Sequence, residues 1–167
     1  VLYLDYELKP DSFTRRLCML SPDKPEGFHF QTLRGAARLP SIAELGKIVD
    51  GEGFGFVVAD SLYRTGWIAE ENNNDQTSLD LAPLQSFTND NGCSLAVVDH
   101  TAKGGGAGRS SVDASRGASA KGGFFDGILT LRATDKGADP ESTYAILDPV
   151  LRDWPRFKDL PLVCFEW

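Results

Sequence analysis

Cysteine and histidine are scarce in this 167-residue sequence, which contains three cysteines and two histidines. The cysteines, Cys18, Cys93 and Cys164, are odd in number and have no C-x-x-C spacing. Because each lies within an apolar stretch, we expect buried free thiols in a reducing compartment. Neither His29 nor His100 belongs to a cluster with metal-ligand spacing, which counts against a metal-dependent hydrolase.

Several longer signals are also missing. No apolar run is long enough to span a bilayer, and no charged-then-apolar leader opens the sequence, so we expect a cytoplasmic protein with no membrane partner. No G-x-S-x-G elbow is present, which counts against a serine hydrolase. The glycine-rich stretch "LAVVDHTAKGGGAGRSS" (residues 95–111) lacks the G-x-x-x-x-G-K-[ST] spacing of a phosphate-binding P-loop, and that motif occurs nowhere else.

The composition is that of one globular domain covering residues 1–167, with 41% hydrophobic residues and three tryptophans. A net charge of −7 disfavours a protein that coats nucleic acid along its whole surface. Residues 101–123 nevertheless form a basic segment. We predict a flexible loop there with a phosphate or polyanion partner, and a solvated loop with incidental charges is the alternative. Its charged residues are Lys103, Arg109, Asp113, Arg116 and Lys121.

Hydrophobic periodicity and turn residues predict alternating strands and helices. Ser41 and Glu44 have the spacing of a capping box at the start of the second helix. Short connections near the end predict antiparallel strands, whereas the earlier alternation predicts an α/β fold with a mainly parallel sheet. The predicted elements are strand VLYLDYE, helix PDSFTRRLCML, strand FHFQTL, helix SIAELGKIVD, strand FGFVVAD, a helix within residues 69–91, strand CSLAVVDH, and strands in FFDGILTLRA, STYAILD and LPLVCFEW.

Three of the predicted parallel strands end in an acid or an imidazole: Glu7, Asp60 and the pair Asp99-His100. Ligands gather at the carboxyl ends of such strands, so these side chains are expected to surround one triphosphate. Asp60 has the pattern of a Walker-B acid that holds Mg²⁺, Glu7 could be a general base, and His100 could contact the γ-phosphate. Taken singly, Asp60 could cap a turn, Glu7 could favour a helix start, and His100 could be structural.

The segments around these residues resemble the RecA-like hexameric helicases, especially plasmid RepA-type helicases and related AAA-domain proteins. "VLYLDYE" resembles the strand with the catalytic glutamate, and "FGFVVADSLYR" resembles the Walker B strand. "LAVVDHTAKGG" resembles the sensor strand, with Asp99 in place of the first of two histidines. "ASRGASAKGGFFDGILTLR" resembles the family's R-G-[SA]-[SA] segment, and "LRDWPRFKDLPLVCFEW" resembles its closing strands.

This resemblance implies a RecA-like three-layer sandwich that uses ATP and Mg²⁺. It implies catalytic roles for Glu7 and His100 and a metal-binding role for Asp60. Ser61 and Lys103 are implied as further nucleotide contacts. Arg116, and after it Lys121, would reach a neighbour's γ-phosphate in a ring-shaped homo-oligomer, because a planar guanidinium suits spread phosphate charge better than an ammonium. Residues 101–123 would couple hydrolysis to single-stranded DNA.

The sequence departs from this family in the absent P-loop strand and helix. A sequence that begins at Val1 without Met is therefore expected to be the downstream part of a longer protein. ATP hydrolysis is expected only when the P-loop is supplied. The alternative is a non-catalytic nucleic-acid-binding or assembly module that retains the RecA-like fold.

Overall fold

The computed structural model describes residues 1–23, 25–70, 72–100, 120–133 and 145–152. The chain forms two compact units, Val1–His100 and Thr101–Trp167, which are described one at a time. Residues 101–119 of the basic segment lie outside the described residues, and so does the last predicted strand, LPLVCFEW. The end of the basic segment, residues 120–123, is described.

The first unit is built around a four-stranded parallel sheet with the strand order β2-β1-β3-β4. The predicted parallel α/β architecture is therefore confirmed. Its strands are β1 (Leu2–Asp5), β2 (His29–Thr32), β3 (Phe56–Asp60) and β4 (Ser94–Val98). Its helices are α1 (Pro10–Leu20), α2 (Ile42–Glu52) and α3 (Asn74–Asn91), and a 3₁₀ turn (Leu62–Arg64) follows β3.

Strand alternation sends apolar side chains to both faces of this sheet. On one face, buried residues of β1 and β3 form a single core cluster with residues of α2 and α3. On the other face, the Phe13 ring of α1 lies 5.2 Å from the Tyr3 ring and 4.7 Å from the Phe30 ring. Helices thus cover both faces, consistent with the predicted RecA-like sandwich. The core members are Leu2, Leu4, Tyr6, Leu33, Leu45, Val49, Val57, Ala59, Phe87 and Cys93.

Local signals fix the ends of α2. The Ser41 hydroxyl accepts from the Glu44 backbone N–H at 3.3 Å, and the Glu44 carboxylate accepts from the Ser41 backbone N–H at 2.9 Å. This is the predicted capping box. At the other end Gly53 has φ 68°, a left-handed conformation that glycine adopts without steric cost.

The predicted burial of the cysteines is wrong for Cys18, which is exposed. Only one stripe of α1 contacts the sheet, where Phe13 is buried and Leu17 half-buried, and Cys18 lies outside that stripe. Leu20, at the end of the same helix, is 82% exposed. Cys93 is buried as expected, and Cys164 lies outside the described residues.

In the second unit, the described residues form α4 (Ala120–Phe124), β5 (Gly127–Ala133) and β6 (Ala145–Leu151). The two strands pair antiparallel in a two-stranded sheet of their own, with Gly127 opposite Leu151 and Ala133 opposite Ala145. The predicted antiparallel pairing of strands near the end of the sequence is confirmed for β5 and β6. Their register pairs the inward-facing backbone groups of each strand with those of the other.

The helices in the described parts of the chain are all too short or too polar to cross a membrane.

The Ser41 cap makes a first prediction. Ser41→Ala should lower the free energy of unfolding by about 1 kcal/mol, because the helix loses an acceptor for an otherwise orphaned N–H. Urea unfolding measures this difference. Ser78→Ala is the matched control, since the Ser78 hydroxyl donates to the Asn74 carbonyl within α3 and caps no helix end. An equal loss in both variants would contradict the capping role.

Candidate active site at the carboxyl edge of the parallel sheet

Three neighbouring strands end at the same level. Asp5 of β1 lies opposite Asp60 of β3, and Asp60 lies opposite Val98 of β4. The segments that follow these strands therefore leave the sheet side by side. They carry the sequence-predicted residues Glu7 and His100, and Asp60 itself ends the central strand of the three.

One carboxylate oxygen joins the three segments. Glu7 Oε1 accepts a hydrogen bond from the Ser61 hydroxyl at 2.6 Å and forms an ion pair with Arg64 Nε at 3.3 Å. His100 Nε2 lies 3.6 Å from the same oxygen, which is beyond ordinary hydrogen-bond length. The structure therefore brings Glu7, Ser61 and His100 together, and it adds Arg64 from the 3₁₀ turn.

These neighbours favour the ionised form of Glu7. The Ser61 hydrogen bond lowers the pKa of the Glu7 carboxyl most, partial burial opposes it, and the Arg64 charge and His100 lower it further. Glu7 Oε2 receives no hydrogen bond from any described residue. The result is an anion anchored through one oxygen, with its second oxygen available as an acceptor.

Asp5 shapes the turn that presents Glu7. Its side chain is 1% exposed, and its Oδ1 accepts from the backbone N–H groups of Glu7 at 2.7 Å and Leu8 at 2.8 Å. Sequence reasoning did not single out Asp5. The signal was the short D-Y-E sequence at a strand end, because an aspartate there commonly bonds the backbone two residues onward.

Two arginines were also missed. Arg34 Nη1 donates to the Glu7 carbonyl oxygen at 3.1 Å, which holds the backbone of the turn from the β2 side. Arg64 reaches Glu7 because the 3₁₀ turn after Ser61 folds the chain back toward β1, with the Arg64 N–H donating to the Ser61 carbonyl at 2.9 Å. Hydrophobic periodicity does not predict the contacts of either arginine, because neither residue lies in a strand or an α-helix.

Asp60 has a different partner. The Tyr3 hydroxyl donates to Asp60 Oδ2 at 2.7 Å, and no described residue donates to Oδ1. Burial raises the pKa of the Tyr3 phenol well above its usual value, and the hydrogen bond and nearby charge of Asp60 raise it further. The phenol therefore remains a donor throughout the neutral pH range.

One open carboxylate oxygen fits a magnesium ion of the kind found with nucleotides. Mg²⁺ in such sites keeps several waters and takes one or two carboxylates plus substrate phosphates. The described residues contain no group of three or more histidine, cysteine or acidic side chains that could hold a metal alone. Asp60 would supply the protein ligand.

The contacts of Glu7 and Asp60 differ from those that their structural alternatives describe. Glu7 precedes Lys9, the N-cap of α1, and therefore lies outside that helix. Ser61, at the N-cap of the 3₁₀ turn, forms no side-chain cap, and the Asp60 carboxylate engages Tyr3. His100 faces Glu7, while its backbone N–H donates to Asp99 Oδ1 at 2.9 Å.

Three further residues were predicted for the site: Lys103, Arg116 and Lys121. Lys103 and Arg116 are outside the described residues. Lys121 belongs to α4 of the second unit, where its side chain is 2% exposed. Their proposed roles stay predictions.

Comparison with known families identifies the fold. Residues 1–106 match the family model described as an AAA domain, which covers more than half of the chain. No curated protein matches the sequence. The predicted membership of an AAA/RecA-like, ATPase-type family is thereby confirmed at that level, and the matched region contains Glu7, Asp60 and His100.

The role of Asp5 predicts a large effect of its removal. Asp5→Ala should lower the free energy of unfolding by about 2–3 kcal/mol, because two partly buried N–H groups lose a charged acceptor. Asp5→Asn retains an acceptor oxygen and should lose less than half as much. Urea unfolding of both variants tests this, and a change below about 0.5 kcal/mol in Asp5→Ala would contradict it.

The Ser61 contact predicts a titration change. Ser61→Ala should raise the pKa of Glu7 toward its ordinary value of about 4.3, because its largest stabilising contact is lost. The stability from ionised Glu7 is present above the unfolded pKa and is lost as pH falls through the lowered folded pKa. In the variant the folded and unfolded pKa values lie closer together, so less stability is lost as the pH falls. Carboxyl ¹³C NMR measures the midpoint, with Ser78→Ala as control, and an unchanged midpoint would contradict the assignment.

Proposed function

Since the chain belongs to the AAA domain family, we propose that its parallel-sheet unit is part of an ATPase and supplies the carboxyl edge of its sheet to a site that hydrolyses ATP with Mg²⁺ once a phosphate-binding loop is present. One observation carries this proposal. Segments following β1, β3 and β4 meet at Glu7 Oε1, beside the Asp60 carboxylate at the end of β3. Acids and cations at the ends of adjacent parallel strands are typical of nucleotide chemistry.

Glu7 is the residue that orients the attacking water. Its Oε1 is occupied by Ser61 and Arg64, so Oε2 is the oxygen that accepts from water. The lowered pKa makes Glu7 a weak base but keeps it fully ionised. That suits phosphoryl transfer, in which the transition state is loose and positioning of the nucleophile matters more than early removal of its proton.

Asp60 would hold the metal through Oδ1, to which no described residue donates, while Oδ2 stays bonded to Tyr3. Mg²⁺, when bound, would neutralise charge on the phosphate oxygens. Asp60 thus contributes charge and orientation. It takes no part in proton transfer.

His100 is the residue proposed to sense the γ-phosphate. At 3.6 Å from Glu7 Oε1 it is close enough for attraction and too far for a firm hydrogen bond, so its imidazole can turn toward a phosphate at small cost. Its backbone continues directly into residues 101–123. A change in the position of His100 would therefore be transmitted to the basic segment through the backbone.

The finer proposal is a motor of the RecA-like hexameric helicase type that couples hydrolysis to single-stranded DNA. The local excess of positive charge in residues 101–123 supports it, because cationic loops attract a nucleic-acid backbone. Arg116 remains the first candidate for contact with a neighbouring subunit's nucleotide. Lys121 ranks second because its side chain is buried in α4. Ser61 and Lys103 are further nucleotide contacts in this proposal.

The catalytic role of Glu7 predicts a split between turnover and binding. Glu7→Gln in the full-length protein should reduce ATP turnover by about 10²–10⁴-fold, because the neutral amide orients and polarises the attacking water less well than the carboxylate does. Affinity for a fluorescent ATP analogue should stay within twofold. The full-length protein is assayed because hydrolysis requires a phosphate-binding loop, and these 167 residues contain no P-loop motif.

Glu52→Gln is the control for this measurement, since Glu52 is an exposed acid at the end of α2 and should leave turnover unchanged. Absence of Mg²⁺-dependent ATP hydrolysis in the unmodified protein would refute the proposed function. Unchanged turnover in Glu7→Gln would refute the role of Glu7.

A further inference from the structure

Tyr3 stands out because the sequence assigned it no role in the site and yet it contacts the proposed metal ligand. It lies opposite Val58 in the β1–β3 register, two positions before the level of Asp60. Side chains two positions apart on a strand share a face. The Tyr3 hydroxyl therefore reaches diagonally across the strand pair to Asp60 Oδ2, at 2.7 Å.

A second observation explains why a donor is needed there. Asp5 and Asp60 are direct partners across β1 and β3. Like charges directly opposite each other in a sheet are destabilising. The Asp5 carboxylate accepts hydrogen bonds from the backbone N–H groups of Glu7 and Leu8. Among the described residues, the side-chain donor to the Asp60 carboxylate is Tyr3.

The Tyr3 ring is itself held in place. Its centroid lies 5.2 Å from the Phe13 ring of α1 and 6.3 Å from the Phe28 ring that precedes β2. Tilted aromatic contacts of this kind restrict the ring as well as burying it. The hydroxyl is consequently fixed by packing and cannot follow Asp60 if that side chain turns.

We propose that Tyr3 is a positioning residue for Asp60, which it holds so that Oδ1 faces the Mg²⁺ of a bound nucleotide. This inference rests on the proposed function. Tyr3 touches neither the nucleotide nor the metal in this arrangement and acts through the carboxylate alone. A hydrogen bond from a neutral donor orients the carboxylate and leaves its charge available to a cation.

The test measures Mn²⁺ binding to the full-length protein with a non-hydrolysable ATP analogue, using the electron paramagnetic resonance signal of free Mn²⁺. Tyr3→Phe keeps the ring and its contacts and removes only the donor. We expect Mn²⁺ affinity to fall by about tenfold, the lower end of what loss of a supporting hydrogen bond to a metal ligand costs.

A kinetic measurement separates positioning from a merely structural effect. In Tyr3→Phe the Mg²⁺ concentration that gives half-maximal ATP turnover should rise by about tenfold, while turnover at saturating Mg²⁺ stays within about twofold. A variant that was simply less well folded would lose turnover at every Mg²⁺ concentration. That pattern would overturn the inference.

Tyr6→Phe is the matched control. The Tyr6 hydroxyl is also buried, but it has no hydrogen-bond partner among the described residues, so its removal should leave Mn²⁺ affinity unchanged. Equal weakening in Tyr3→Phe and Tyr6→Phe would overturn the specific role of Tyr3.

Asp60→Asn separates failure of this inference from failure of the proposed function. If Asp60→Asn loses Mn²⁺ affinity and Tyr3→Phe does not, the inference about Tyr3 is wrong and the metal site stands. If Asp60→Asn binds Mn²⁺ as the unmodified protein does, or if the unmodified protein binds none, the proposed metal site is wrong and the inference falls with it.

Discussion

The parallel register of β1, β3 and β4 is the constraint on which the candidate site depends. Asp5, Asp60 and Val98 lie side by side, so the chain leaves three adjacent strands at one level. A shift by one residue in β1 would send Tyr3 and Asp5 to the opposite face and carry Glu7 away from Ser61. The buried apolar residues that alternate along β1 and β3 prevent that shift, because it would expose Leu2, Leu4 and the residues packed against them.

The order of strands and helices could be predicted from the sequence because its apolar pattern is strongly periodic. The Ser41–Glu44 capping box could be predicted because it depends on side chains only three residues apart. The exposure of Cys18 could not be predicted from the sequence, because it depends on the width of the α1 surface that contacts the sheet.

For the site, residues carried by strand ends could be identified, because chain order and parallel topology together place them at one edge. Glu7 and His100 were identified in this way, and in the structure His100 Nε2 lies 3.6 Å from Glu7 Oε1. Arg64 was missed because a short 3₁₀ turn decides where its side chain points. Tyr3 was missed for a different reason: half-buried aromatic residues on strands are common in cores, and only the Asp60 contact distinguishes this one.

The carboxylates of Glu7 and Asp60 differ in their donors, and that difference supports the separate tasks proposed for them. Glu7 is held by a hydroxyl and an arginine, which fix one oxygen and keep the group ionised while partly offsetting its charge. An arginine in the same position on Asp60 would compete with Mg²⁺ for the carboxylate. A phenol offers no such competition, because it carries no charge and occupies a single oxygen. The acid proposed to orient water thus has a cationic neighbour and the acid proposed to bind metal has a neutral one, so in this proposal environment separates the roles of two chemically similar groups at one sheet edge.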